Sequence, residues 1–172
     1  MNTQNTFSFE WLSPLGISVL LFLIFGLMNV LVGVLTPFFV RPDRLVTGNT
    51  LFTSERADTI LFGGSPSELI TQNKPLGLLR LLLVFWLAGL LLGFGLFQLA
   101  VAWFGLRQGQ GWALWSLTVA DLSMVPFWWL ILARYAQVGA MPGFGGLPPM
   151  VTYLVVIPIA ALLGWIGLRA GA

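Results

Sequence analysis

Residues 81–133 read LLLVFWLAGLLLGFGLFQLAVAWFGLRQGQGWALWSLTVADLSMVPFWWLILA, two long apolar segments that flank the polar turn at 107–110. The first segment has no charged residue as far as Leu106, and the second, which begins at Gly111, has one, Asp121. Each segment exceeds the roughly 20 apolar residues that a helix needs to cross the core of a bilayer. The turn is too short for anything except a hairpin, so we predict two neighbouring antiparallel membrane-spanning helices.

The composition of the whole chain favours the same class of protein. The 172 residues are 58% hydrophobic and 8% charged, whereas a soluble domain carries about a quarter charged residues. The chain is therefore expected to be an integral membrane protein with the lipid bilayer as its solvent. Its net charge of +2 comes from scattered Lys and Arg residues, which indicate helix-end anchors and no binding of nucleic acid.

The composition also excludes several kinds of active site, because the chain has neither cysteine nor histidine. Their absence removes thiolate zinc sites, cysteine-ligated iron–sulfur clusters and haem held by His or Cys. It also removes cysteine nucleophiles and histidine general bases, and no serine lies in a G-x-S-x-G sequence. We therefore predict no enzymatic activity, no catalytic residue, no metal site and no cofactor.

We predict an all-α fold, a four-helix transmembrane bundle that forms a single domain over residues 1–172. The predicted spans are 12–39, 77–106, 111–134 and 150–168, and the loop 41–76 between the first two is predicted to lie outside the membrane. A secretory signal would have an apolar region of roughly 7–15 residues, whereas this one runs from Leu12 to Val40. The first helix is therefore expected to be retained.

The loop is predicted to contain two short helices. One would begin at Ser54 and end near Phe62, before Gly63-Gly64. Ser65-Pro66-Ser67-Glu68 has the pattern of a capping box, which predicts a second helix ending near Asn73. The apolar residues of the loop would suit either an amphipathic segment at the headgroup level or a loop packed on the end of the bundle.

Basic residues are concentrated in and next to this loop, namely Arg41, Arg44, Arg56, Lys74 and Arg80. They are candidates for binding anionic lipid headgroups or a partner protein, and the alternative is a solvated loop whose charges pair with each other. Because basic residues mark the cytoplasmic side, we expect both termini to lie outside the cytoplasm. The predicted location is the inner or plasma membrane of a bacterium, as a multi-pass protein.

Two prolines are predicted to interrupt helices, because proline has no N–H to donate to the carbonyl four residues earlier. Pro126 would kink the third helix one turn beyond Asp121. Pro158 would free the carbonyl of Leu154 in the fourth helix. Such interruptions expose backbone groups inside a bundle, so both positions are of functional interest.

Two patterns of small residues predict close helix packing. Gly89 and Gly93 of the second helix form a GxxxG pattern, and Ala160 and Gly164 have the same spacing in the fourth. Small residues let helix backbones approach closely in lipid, where packing replaces the hydrophobic effect. We expect Gly89 and Gly93 to contact a helix of the same chain rather than a second copy.

Asp121 is the main candidate for a functional residue. Counted outward from the turn, Gln98 and Asp121 lie equally far along the two helices, on the order of 17 Å from it at about 1.5 Å per residue. That depth is near the bilayer midplane, where an ionised carboxylate costs roughly 2.5–3.5 kcal/mol. Because no arginine lies at this depth, Gln98 is the expected hydrogen-bond partner of Asp121.

Asn29 and Tyr153 are lesser polar candidates within the predicted spans. Each is expected to make a single interhelical hydrogen bond. By depth, Asn29 is expected about 10 Å nearer the basic loop than Asp121, which argues against direct contact between them. Asp121 itself would be either a relay for protons or cations, or a structural pin across the helical hairpin.

Three functional hypotheses follow. The first is a non-catalytic accessory or scaffold component that packs against other membrane-protein subunits or forms a homo-oligomer. The second is a small transporter or channel that uses Asp121 with Gln98. The third is a binder of a lipid or quinone-like ligand in a cleft lined by Phe127, Trp128 and Trp129, although aromatic belts facing lipid have the same sequence pattern.

Overall fold

The computed structural model describes residues 9–40, 55–141 and 152–170 of the chain. Within these ranges the chain is helical and contains no strand, and four helices are long and apolar enough to cross a membrane. These helices confirm the predicted all-α class and the number of candidate spans. Two parts of the prediction, loop residues 41–54 and the first two residues of span 150–168, lie outside the described ranges.

The described residues form seven α-helices, a 3-10 turn and a π turn, whose bounds are α1 Pro14–Phe39, α2 Glu55–Phe62, α3 Pro66–Gln72, α4 Lys74–Phe104, the 3-10 turn Leu106–Gln108, α5 Gly111–Leu122, α6 Met124–Gln137, the π turn Thr152–Val156 and α7 Ile157–Ala170. The first candidate span is α1 and the second is α4 with the 3-10 turn. The third consists of α5 and α6, and the fourth of α7 with most of the π turn. The described ends of these spans agree with the predicted ones to within about one helical turn.

Helix α1 packs along α4 through small residues on both helices. A Cβ added at Gly33 would lie 2.7 Å from the carbonyl oxygen of Ala88, and one added at Gly95 would lie 2.7 Å from that of Gly26. Such spacing requires glycine, because the opposing atoms belong to the backbone. The predicted contact of Gly89 and Gly93 within the chain is wrong, since both are exposed and a Cβ there would meet no described atom within 4 Å.

Helix α7 packs against α1 and α5 with the small residues predicted for this purpose. The buried hydroxyl of Ser18 in α1 donates a hydrogen bond of 2.7 Å to the carbonyl oxygen of Ala160. A Cβ added at Gly164 would lie 2.6 Å from Leu114 Cδ1 of α5. Buried apolar side chains fill the space between the three helices, including Phe22, Leu117 and Ile157.

The third candidate span is broken at Ser123, between α5 and α6. The Ser123 hydroxyl donates to the carbonyl oxygen of Ala120 at 2.8 Å. Pro126 is the third residue of α6, and the N–H groups of the first turn have no partner within a helix. The predicted interruption is therefore present, but the break precedes the proline and lies only two residues beyond Asp121.

The loop helices α2 and α3 adjoin the start of α4. Ser65 and Glu68 form the predicted capping box of α3, in which the Ser65 N–H donates to Glu68 Oε2 at 2.8 Å. Hydrogen bonds from the backbone and the hydroxyl of Ser65 hold the pKa of Glu68 below its ordinary value of 4.5. Helix α2 is joined to α4 by an ion pair between Asp58 and Arg80.

Candidate functional site

A chain of hydrogen bonds links three helices in the interior of the bundle. Asn29 Nδ2 of α1 donates to Gln98 Oε1 of α4 at 2.8 Å. Gln98 Nε2 in turn donates to Asp121 Oδ1 of α5 at 2.7 Å. Gln98 thus uses both ends of its amide, and an amide nitrogen donates at each step.

Gln98 and Asp121 are both completely buried. The adjoining small residue Gly26 makes this burial possible, since a Cβ added there would lie 3.1 Å from Gln98 Cβ. The helices α1 and α4 therefore approach each other closely beside the Gln98 side chain. We refer to Asn29, Gln98 and Asp121 as the polar chain.

The second carboxyl oxygen of Asp121 has no hydrogen-bond partner among the described residues, although it is buried. The ion pair found in these residues joins Asp58 to Arg80, so Asp121 has no cationic partner there. Within the described residues the carboxyl group is bound at one oxygen only. Its other oxygen is the position that a proton, a water molecule or a cation could occupy.

Two hydroxyl groups near Asp121 in sequence do not complete its hydrogen bonding. Thr118 Oγ1 donates to the carbonyl oxygen of Leu114 at 2.8 Å, and the Ser123 hydroxyl donates to Ala120. Each hydroxyl is used within its own helix, as is common for Ser and Thr in apolar helices. The Leu122 carbonyl, although freed by Pro126, is likewise not bonded to the carboxyl oxygen that lacks a partner.

Tyr153 brings the fourth candidate span to the polar chain. Its phenol faces the Asn29 side chain and is near enough to Asp121 for an electrostatic interaction. The ring packs edge-on against Phe25 of α1, with the centroids 4.9 Å apart. Tyr153 lies in the π turn, and this wider turn precedes Pro158, the second residue of α7. All four polar residues singled out in the sequence therefore lie together.

The predicted hydrogen bond between Gln98 and Asp121 is present, and Asn29 bonds to Gln98 rather than to Asp121. Gln98 and Asp121 lie at the same depth and are bonded, as their equal distance from the turn predicts. Asn29 has no direct hydrogen bond to Asp121 among the described residues, and the predicted offset of about 10 Å along the bundle stays a prediction. The side chain of Gln98 alone bridges the two residues.

The basic residues next to the loop differ in their surroundings. Arg80 is 6% exposed. It forms a two-pronged ion pair with Asp58, with nitrogen–oxygen distances of 2.7 and 2.8 Å. For Arg80 the alternative of internal pairing therefore holds, and its charge is compensated within the chain. Arg56 and Lys74 are exposed, whereas Arg41 and Arg44 lie outside the described residues.

The aromatic residues proposed as a ligand cleft lie on α6. Phe127 is 65% and Trp129 is 69% exposed, and Trp128 is partly buried. Side chains with this exposure form an open face rather than an enclosed cleft. Only Leu132 of α6 is buried among the described residues.

The polar turn contains a feature that our sequence reasoning misses. The guanidinium of Arg107 lies over the ring of Trp103, 4.2 Å from its centroid. Phe9 and Trp11, which precede α1, complete an aromatic cluster around the same group. The spacing of four residues between Trp103 and Arg107 is the signal that could have indicated this contact.

Comparisons with protein-family models, curated proteins and solved structures find no match to this chain.

Proposed function

We propose that this chain is a non-catalytic multi-pass membrane protein, an accessory or scaffold component that packs against other membrane-protein subunits or a second copy through α6. The observation that carries the proposal is the exposure of α6, which begins after the break at Ser123 and buries only Leu132 among the described residues. Both termini are proposed to lie outside the cytoplasm, in a bacterial inner or plasma membrane.

The contrast between α6 and the other helices supports this role. Helices α1, α4, α5 and α7 are joined by contacts at Gly95 and Gly164 and by the polar chain. Packing contacts and interhelical hydrogen bonds are the forces that associate helices in lipid, where apolar surface alone provides little drive. Helix α6 buries only Leu132 among the described residues, so a neighbouring span could supply its packing.

A helix that faces only lipid would also expose apolar side chains, so the test compares α6 with α1. The chain has no cysteine, which allows single cysteines to be placed without removing native ones. Leu130 of α6 is 60% exposed and Leu27 of α1 is 49% exposed. Leu130→Cys and Leu27→Cys would each be labelled in native membranes with a thiol-linked benzophenone and irradiated.

The proposal predicts one discrete cross-linked product for Leu130→Cys, either a dimer of the chain or an adduct with one other membrane protein. Leu27→Cys should give mainly adducts with lipid. If the two variants give the same products, or if Leu130→Cys also reacts only with lipid, α6 is a lipid-facing helix and the proposal fails. Mass spectrometry of the product distinguishes a second copy from another subunit.

A second candidate function is a small transporter or channel that uses Asp121 with Gln98. The observation in its favour is the buried carboxyl oxygen of Asp121, which lies beside the break at Ser123 and has no partner in the part of the chain that the structure describes. An acidic residue next to an interrupted helix is a common arrangement at ion sites of membrane transporters.

This candidate is tested with purified protein in liposomes that contain a pH-sensitive dye. A relay predicts a proton or monovalent-cation flux that Asp121→Asn abolishes, because an amide cannot exchange a proton or carry a negative charge. Thr118→Val, which removes a hydroxyl bonded within α5, is the matched control and should retain the flux. Absence of flux in the unmodified protein, or equal flux in Asp121→Asn, excludes the relay and leaves Asp121 as a structural residue.

A further inference from the structure

We infer that Arg107 and the cleft beside it bind the phosphate headgroup of an anionic phospholipid. The cleft has a volume of about 500 Å³ and is lined by Phe9, Trp103, Phe104, Arg107 and Gln108. It lies where α4 ends and the polar turn begins, on the side of the bundle where α1 starts. The inference is independent of the role proposed for α6.

Three aromatic rings hold the guanidinium of Arg107 in place. Its central carbon lies 4.2 Å from the ring centroid of Trp103, 5.6 Å from that of Phe9 and 5.9 Å from that of Trp11. The rings also contact each other, with Phe9 and Trp11 edge-to-face at 4.9 Å. Stacking on rings restricts the arginine side chain, so little rotational freedom remains to be lost when an anion binds.

Arg107 forms no ion pair with an acid in the described part of the chain, although Glu10 lies between Phe9 and Trp11 in the sequence. The ion pair in that part joins Asp58 and Arg80, and the guanidinium of Arg107 lies over the three rings. The eight residues that precede Phe9 contain no Asp or Glu. A guanidinium has five N–H donors in a planar fork, which matches two oxygens of a phosphate group.

The surroundings of the cleft favour a phospholipid over free phosphate. Phe104 is 67% and Trp103 is 40% exposed, so an acyl chain could lie along them while the phosphate contacts Arg107. Trp11, Trp112 and Trp115 are also exposed near this end of the bundle, as is typical of the aromatic belt at the membrane surface. An anionic lipid satisfies both the charge and the apolar wall, whereas inorganic phosphate satisfies only the charge.

Arg169 provides a matched comparison. Its guanidinium also lies over a tryptophan, 4.0 Å from the ring centroid of Trp165. Arg169 is not among the residues that line the cleft beside Arg107. Loss of the charge at Arg169 should therefore leave the proposed site intact.

The test measures lipid binding to the purified full chain by native mass spectrometry, with phosphatidylglycerol and phosphatidylcholine of the same acyl chains. We expect the protein to prefer phosphatidylglycerol, and Arg107→Gln to weaken that binding roughly tenfold or more because charge-assisted hydrogen bonds are lost. Arg169→Gln should change it less than about twofold, since a rim charge that does not line the site contributes little. Arg107→Lys keeps the charge but loses the planar fork, so binding should be intermediate.

Competition with inorganic phosphate separates the two sources of the anion. Millimolar phosphate should displace little phosphatidylglycerol, whereas efficient displacement would identify a site for free phosphate and overturn the lipid assignment. Equal binding of the two lipids to the unmodified protein would also overturn it. Tryptophan fluorescence melting verifies that the variants are folded. If Arg107→Gln does not fold, the lipid preference of the unmodified protein and the loss in Arg107→Lys decide the question.

Discussion

Replacement of Gln98 by leucine should destabilise the bundle strongly, because Gln98 is the centre of the polar chain. The substitution keeps the approximate side-chain volume but removes the bonds to Asn29 and Asp121, which measure 2.8 and 2.7 Å. Interhelical hydrogen bonds in membranes contribute about 0.6–2 kcal/mol each. The carboxyl of Asp121, which is completely buried, would then be unpaired at both oxygens, at a cost of about 1–3 kcal/mol more.

The expected loss is therefore about 2–7 kcal/mol in the free energy of unfolding. The assay is reversible unfolding in mixed micelles, followed by circular dichroism and tryptophan fluorescence. The matched control is Asn29→Leu, which removes one bond from a partly buried residue and should cost less than Gln98→Leu. Asp121→Asn keeps an oxygen that can accept from Gln98 and should have the smallest effect of the three.

A double variant makes this prediction sharper. In Gln98→Leu/Asp121→Leu the unpaired carboxyl is gone, so the double variant should be more stable than Gln98→Leu alone, since replacing both partners by apolar groups can be nearly neutral. The reasoning is refuted if Gln98→Leu lies within about 0.5 kcal/mol of the unmodified protein, which is the usual range of surface substitutions. It is also refuted if removing the carboxyl destabilises the single variant further.

Three further predictions concern the rest of the chain. Gly95→Val should destabilise the contact between α1 and α4 by about 1–3 kcal/mol, because a Cβ would lie 2.7 Å from the Gly26 carbonyl oxygen. Gly93→Val, whose Cβ would meet open space, should be neutral. Both variants are measured by reversible unfolding in mixed micelles. Asp58→Ala should leave the Arg80 charge unpaired and release α2 from α4. The release is measured as faster amide hydrogen exchange over residues 55–62, and unchanged exchange would contradict this role of the ion pair. With both termini outside the cytoplasm, a membrane-impermeant maleimide should label Gln108→Cys but not Thr71→Cys in intact cells, and the reverse pattern would invert the topology.

The sequence predicts the helices well because their signals are local. The length of each apolar segment, the Ser65 capping box and the short polar turn all act within one element. The bond between Gln98 and Asp121 is also predictable, since a tight hairpin fixes the relative depth of its two arms. These features require no knowledge of how distant helices are oriented.

The remaining features depend on the rotation and shape of helices, which composition does not determine. The GxxxG pattern at Gly89 does not show which side of α4 faces α1, and Gly95, six residues further on, makes the contact instead. The cluster around Arg107 includes Phe9, which is distant in the sequence. The sequence alone therefore indicates only the contact with Trp103, through the spacing of four residues.

The central claim is that Asp121 is held inside the bundle by Gln98, with lipid as the surrounding solvent. Solid-state NMR of the protein in bilayers tests it directly, through the dipolar coupling between Gln98 Nε2 and Asp121 Cγ. The hydrogen bond predicts a separation of about 3.5 Å between these atoms, together with weak magnetisation transfer from water to Asp121. Loss of the coupling, or strong transfer from water or from acyl chains to Asp121, would contradict the claim.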